Sequence, residues 1–272
     1  MVADDYDIES APADAGDTSD VLSDRLKDYL SNAYRNVAGW SDPHLWNVIE
    51  LYALLQQRAG LDAPACEIGV HHGRFFIGLA NTVRSTRKNL AIDVFGQQEF
   101  NIDHSGKGNL EKFMHNVGLY ADPAMVEPMP ADSLMVGLPE IAAIHQTHGK
   151  FAFFSIDGGH TIEHTINDLK IAMQLTAPGG IIFVDDYYNA KWPGVQEGVV
   201  RLFTLETPNF VPLCCACGNL MLTDISHHRM YFDALTQHLA ERYPSASATP
   251  VRRLGWDTLT VKTKANDPLF SF

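Results

Sequence analysis

No stretch of this sequence holds the roughly 18 consecutive apolar residues that a membrane helix needs, so no transmembrane span is expected. The amino terminus lacks the basic and apolar regions of a secretory signal, and a cytoplasmic location is the expectation that follows. Positive charge is scarce too: 20 Lys and Arg stand against 33 Asp and Glu, a net charge of −13. Without a basic face the chain cannot hold a phosphate backbone, and nucleic acid is not an expected partner. Cysteine is too sparse for a disulfide framework, with four in 272 residues. Cys214, Cys215 and Cys217 crowd into one predicted strand, but Cys-Cys-x-Cys is not the usual zinc spacing and no second pair exists. They read as buried small residues.

What is present is apolar residues, 46% of the chain, enough for one large core. Acidic residues are concentrated at the start, with eight in residues 1–24 and no Lys or Arg among them. Residues 1–20 therefore read as a disordered acidic tail. Residues 21–60 carry two amphipathic segments, Val21 to Val37 and His44 to Gly60, the second entered through Ser41-Asp42-Pro43. Residues 61–226 form the expected core, and residues 227–272 a helix and extension packed on it.

Within the core, buried strands alternate with helical spacing. Strands are expected at Pro64 to Val70, Asn89 to Phe95, Ala124 to Met129, Phe151 onward and Gly180 to Asp186. Pro178-Gly179-Gly180 closes the helix before the last of these. Asn209 to Cys217 and Leu220 to Ile225 make a hairpin around Gly218-Asn219. The pattern predicts an α/β fold: a doubly wound, mostly parallel seven-stranded sheet with an antiparallel last strand. Val251 to Lys264 is only loosely periodic and reads as one more extended piece.

Carboxylates stand at the ends of these strands, which face the ligand crevice of an open parallel sheet. Asp157 closes one strand and Asp185-Asp186 the next. Three carboxylates there repel unless a cation sits between them. Hard oxygen ligands suit Mg²⁺ or another divalent cation of its kind. His160, three residues after Asp157 at a helix start, is placed to act as a base, and a helix amino terminus favours the neutral imidazole a base must be. His164 reads as structural. Tyr187, Tyr188 and Trp192 shape an acceptor pocket or simply pack.

The first strand leads into Glu67-Ile-Gly69-Val-His71-His72-Gly73. Glycines there allow close backbone approach to a ligand, and the acid suits an ammonium group. Asp93 ends the second strand, where a carboxylate can take both ribose hydroxyls. The segment Gly96 to Asn109 is long and polar, a candidate lid.

The motifs EIGVHHG, AIDVF, NIDHSGKGN, SIDGGH and PGGIIFVDDY, in that order, resemble those of class I S-adenosylmethionine-dependent methyltransferases. Within that family the chain is similar to the metal-dependent O-methyltransferases that include the macrolide-sugar enzymes. The resemblance implies a Rossmann-like methyltransferase fold, with Glu67, Gly69 and Gly73 holding the methionine part of S-adenosyl-L-methionine. Asp93 would bind ribose, and Asp132 and Ser133 would lie near adenine. It also implies Asp157, Asp185 and Asp186 as metal ligands and His160 as catalytic base. Metal-dependent catechol enzymes carry Asp-x-x-Lys at this point with lysine as base; here the same offset holds histidine.

The expected activity is metal-dependent O-methylation of a small polyhydroxylated acceptor, such as a sugar or natural product, by a homo-oligomer. A metal-independent N- or C-methyltransferase and a non-catalytic cofactor-binding subunit are the alternatives.

Overall fold

The structure, a computed structural model, describes residues 23–244 and 246–262; the expected acidic tail lies outside them. Strands β1 (Ala65–Ile68), β2 (Asn89–Asp93), β3 (Val126–Pro130), β4 (Phe151–Ile156) and β5 (Thr176–Val184) are joined by crossovers into a parallel sheet in the order β3-β2-β1-β4-β5. The hairpin of β6 (Phe210–Ala216) and β7 (Asn219–Asp224) adds β7 antiparallel to β5. A second hairpin, β8 (Ser247–Arg253) and β9 (Trp256–Lys262), extends the sheet through β6.

The sheet therefore has nine strands, not the seven expected. The missed hairpin turns at Leu254-Gly255, both at positive φ (48° and 88°). Leucine is a rare choice for that conformation, which hides the turn from sequence reading.

Alternate strand residues feed two cores, as period-two geometry requires. Ala65, Ala91, Phe153, Ile181 and Phe183 face one layer, with α1 (Asp24–Asp28), α2 (Trp46–Arg58), α3 (Arg74–Thr82), α4 (Leu110–Tyr120) and α8 (Ile225–Arg242). Cys66, Ile68, Leu90, Ile92, Phe154 and Val184 face the other, with α5 (Leu138–His148), α6 (Ile162–Leu175) and α7 (Pro193–Leu205). Among the described residues, no helix is long and apolar enough to cross a membrane.

Several boundaries differ from expectation. The helix expected from Val21 to Val37 begins at Asp24, capped by Ser23, and continues as a π turn and a 3₁₀ turn to Asn36. β3 starts at Val126 because Asp122 caps a 3₁₀ turn over Pro123–Met125. β5 begins at Thr176, so Pro178-Gly179-Gly180 lies inside it. A register shift between Phe151 and Phe153 absorbs the irregularity. Gly179 donates its N–H to Asp224 at 2.6 Å, and its carbonyl accepts from Tyr231 and Gln56.

The strand order reverses between β1 and β4, and there the backbones nearly touch. Gly69, at φ +87°, follows β1; a Cβ on it would fall 1.8 Å from the carbonyl oxygen of Asp157. Only glycine permits that approach, and the mouth of the sheet is built on it.

Two glycine substitutions should move stability in opposite directions in urea unfolding. Gly69→Ala meets backbone and a positive φ, and should cost more than about 1 kcal/mol. Gly118→Ala, inside α4 with open space around it, should gain about 0.5–1 kcal/mol.

Candidate active site

A cavity of about 520 Å³ opens over the carboxyl ends of the parallel strands. Gly69 and His71 line it after β1, Asp93 after β2, and Ala131 to Ser133 after β3. Asp157 to His160 follow β4, and Asp185 and Asp186 follow β5. The segment expected as a lid covers it with Gln98, Phe100 to Gly106 and Gly108, and Trp40 stands at the rim.

The acidic end is compact. Ligand atoms of Asp157, His160 and Asp186 lie within 4.8 Å of one another. Nε2 of His160 stands 3.7 Å from Oδ1 of Asp157 and 3.3 Å from Oδ2 of Asp186. Asp186 has left-handed backbone (φ +56°), so the paired aspartates escape the strand rule that sends neighbours to opposite faces. Asp185 lines the same cavity, with Oδ1 accepting from Asn219 Nδ2 at 2.6 Å. Asn189 likewise engages Oδ1 of Asp186 at 2.9 Å. Those amides hold Oδ1 of each carboxylate while Oδ2 of Asp186 faces His160, and the gathered oxygens are a donor set that suits a hard divalent cation.

On its other side His160 meets a residue that sequence reading missed. Oδ2 of Asp103 accepts from the backbone N–H of His160 at 2.9 Å and lies 2.5 Å from its Nδ1. Asp103 sits in the NIDHSGKGN segment, where it also caps Ser105. The indole of Trp192 stacks on the imidazole, centroids 4.4 Å apart. Of the other aromatic residues named from sequence, Tyr187 is buried in the core and Tyr188 packs under the Arg253 guanidinium.

Burial works against charge on His160, but hydrogen bonds to Asp103, Asp157 and Asp186 outweigh it and push its pKa up to about 11. The expectation that a helix start keeps this imidazole neutral is thus overturned in the ion-free site: three carboxylates outweigh one helix terminus. Burial raises Asp157 to about 6, even against its bond to His160, and burial with the charge of Asp157 also raises Asp185. Asp103 and Asp186 move down instead, since bonds from His160 outweigh their burial.

At the other end, beside β1 to β3, the predicted residues divide. Gly69 and Asp93 line the cavity, whereas Glu67 and Gly73 are not on its wall. Glu67 is buried with Oε1 bonded to Ser155 at 3.0 Å and Oε2 without a partner. Burial, then the charge of Asp157, raises its pKa well above the carboxylate range. An orphaned buried oxygen of this kind fits a cationic ligand group. Gly73 has a packing reason for lacking a side chain, because a Cβ there would press on the Phe113 ring at 3.0 Å.

Asp93 accepts backbone N–H groups from His71 (2.8 Å) and Phe95 (2.5 Å), and Gly108 of the covering segment closes over its carboxylate. Asp132 lines the cavity and caps the 3₁₀ turn Ser133–Met135 through Oδ1. Ser133 also lines it, buried against the Asp168 carboxyl.

Residues 66–187 match a family model described as a methyltransferase domain. No curated protein matches the chain. Among solved structures it is similar to the O-methyltransferase NovP, at 18% identity over 67% of this chain and 79% of that one, with a TM-score of 0.52. An O-methyltransferase from Bacillus cereus in complex with SAH gives 17% identity, 74% and 91% coverage and a TM-score of 0.47. MycE from the mycinamycin pathway, in complex with Mg and SAH, gives 15%, 75% and 55%, and 0.49. At these identities the likeness is one of fold.

Protons and a divalent cation should compete for the acidic end, since the ligands must be ionised to bind. Burial raises the pKa of Asp157 to about 6, so Mg²⁺ affinity should be severalfold weaker at pH 5.5 than at pH 7.5. Titration calorimetry at the two pH values measures this. Equal affinities would show that Mg²⁺ does not displace a proton from these carboxylates.

Proposed function

We propose, from the match of residues 66–187 to a methyltransferase-domain model, that the chain methylates a hydroxyl of a small polyhydroxylated acceptor, such as a sugar or natural product. S-adenosylmethionine is the methyl donor in this reading. A divalent cation, with Mg²⁺ the best chemical fit, is held by Asp157, Asp185 and Asp186. The observation that carries the reading is the meeting of Asp157, His160 and Asp186 in the same cavity as Asp93 and Asp132. One end is built for a charged, oxygen-rich centre and the other for a nucleoside. NovP, whose fold the chain shares, is named an O-methyltransferase, in keeping with a hydroxyl acceptor.

The sulfonium already makes the methyl group electrophilic, so the protein's work is to align two reactants and remove one proton. Asp93 would receive the ribose hydroxyls, and the Glu67 carboxyl, with its unpartnered Oε2, would answer the positive charge of the methionine part. When bound, the ion supplies Lewis-acid chemistry, lowering the pKa of a hydroxyl that reaches it. His160 takes that proton at Nε2. With Asp157 and Asp186 engaged as ligands, His160 would lose two of the three partners that hold it charged, which shifts it toward the neutral form a base must have. Asp103 keeps hold of Nδ1 and so fixes which nitrogen faces the acceptor. Trp192 stacks on the ring, and the segment bearing Asp103 covers the cavity and excludes water.

One observation favours a second reading. Nε2 of His160 faces Asp157 and Asp186 at 3.7 and 3.3 Å, so a protonated imidazole offsets part of their charge without any ion, an arrangement that a metal-independent methyltransferase would also need.

The two readings separate on transfer of labelled methyl from S-adenosylmethionine to polyhydroxylated acceptors. Chelation should abolish turnover and Mg²⁺ restore it; undiminished turnover under chelation favours the second reading. His160→Gln should lower kcat by about 10²–10⁴-fold, and Asp103→Asn by less. Both should leave the Kd for S-adenosylhomocysteine unchanged.

A further inference from the structure

Among the cavity-lining histidines that the mechanism above leaves without a task is one that faces a carboxylate across the wall. His164, the third residue of α6, is 4% exposed, yet it lines the cavity beside Asp132. Its imidazole packs directly beneath the turn after β4; a Cβ on Gly159 would stand 2.6 Å from the ring. Nδ1 lies 2.8 Å from Oγ1 of Thr161, the residue that caps α6 by accepting the His164 backbone N–H at 3.2 Å. Nε2 points the other way, 3.5 Å from Oδ1 of Asp132.

Two arguments place the ring proton on Nε2. Thr161 Oγ1 accepts the cap bond and still has its own hydrogen, which Nδ1 can accept at 2.8 Å. The opposite tautomer would set two lone pairs, those of Nε2 and Oδ1, against each other. At 3.5 Å the contact is longer than a hydrogen bond of ordinary strength, so Nε2–H keeps capacity for another acceptor. Oδ1 of Asp132 is meanwhile engaged by Leu134 N–H at 3.0 Å, which leaves Oδ2 for a ligand. The cavity thus presents a donor and an acceptor side by side.

We infer that His164 is a donor-binding residue that, paired with Asp132, reads the amino edge of the adenine ring. Asp132 accepts from the exocyclic amino group and His164 Nε2–H donates to the neighbouring ring nitrogen. A 6-oxopurine reverses both groups, facing its oxygen toward the carboxylate and its ring N–H toward Nε2–H, and is rejected. The inference rests on S-adenosylmethionine being the methyl donor.

Titration calorimetry of the full chain with S-adenosylhomocysteine and its 6-oxo analogue, S-inosylhomocysteine, tests it. The unaltered protein should prefer the adenine ligand by tenfold or more, a roughly estimated lower bound for a buried donor–acceptor pair. His164→Leu should weaken S-adenosylhomocysteine by about tenfold and narrow the preference. His164→Gln, which sets an amide nitrogen near the position of Nε2, should keep most of both. Because the readout is a ratio of two ligands on one protein, partial unfolding cancels from it. A His164→Leu ratio equal to that of the unaltered protein overturns the inference, as does a His164→Gln ratio that falls as far as the leucine variant. Failure of the unaltered protein to bind either ligand would instead remove the donor assignment, and this inference with it.

Discussion

Carboxylates gathered at the ends of adjacent parallel strands repel one another, and the site is organised around that repulsion. β4 ends into Asp157 and β5 into Asp185 and Asp186, while Glu67 lies buried in β1 alongside. Burial alone pushes Glu67, Asp157 and Asp185 toward their neutral forms. Into this crowd the fold brings one imidazolium, that of His160, and amide donors from Asn219 and Asn189. His160 is one positive charge facing three carboxylates, counting Asp103. The balance stays negative, and a site that remains negative with its protein donors in place is one that attracts a cation.

The geometry that forces this crowding is set at Gly69. Its missing side chain lets the end of β1 lie against the carbonyl of Asp157, at the point where the strand order reverses. That closeness makes one cavity serve two halves. Asp93 and Asp132 stand on the β2 and β3 side, and Asp157, Asp185 and Asp186 on the β4 and β5 side. Any wider separation of β1 from β4 would pull Asp93 and Asp132 away from the acidic end, and the proposed transfer between two bound reactants tolerates little misplacement.

Most of this was legible in the sequence, for physical reasons. Apolar runs that end in aspartate announce strands and their carboxyl ends together, so Asp93, Asp157, Asp185 and Asp186 fell where expected. What could not be read depended on contacts between residues far apart in the chain. Asp103 reaches His160 across 57 positions, and Asn219 reaches Asp185 across 34. Gly218-Asn219 signalled a turn, but the turn pair is Cys217-Gly218, at φ 51° and 86°. Asn219 is instead the first residue of β7, paired with Ala216. Its side chain is thereby delivered to the carboxylate, something a propensity argument about asparagine in turns cannot distinguish. The charge state of His160 was misjudged for the same reason: a helix start is visible in sequence, whereas three carboxylates converging from separate segments are not.

The covering segment joins the two halves more closely than a passive lid would. Asp103 bonds to His160 at the acidic end, and Gly108 closes over Asp93 at the nucleoside end. Gly106 packs between, near His71 and Trp40. A charge introduced beside Asp157 and Asp186 weakens the hold on the His160 proton. Losing that proton turns the charge-assisted Asp103 contact into an ordinary one. By linkage, whatever free energy the segment loses at His160 must reappear as altered affinity at the acidic end. Asp93, held by two backbone N–H groups and roofed by Gly108, carries the same segment's position to the other half. One segment therefore touches both halves of the cavity, through Asp103 at one end and Gly108 at the other.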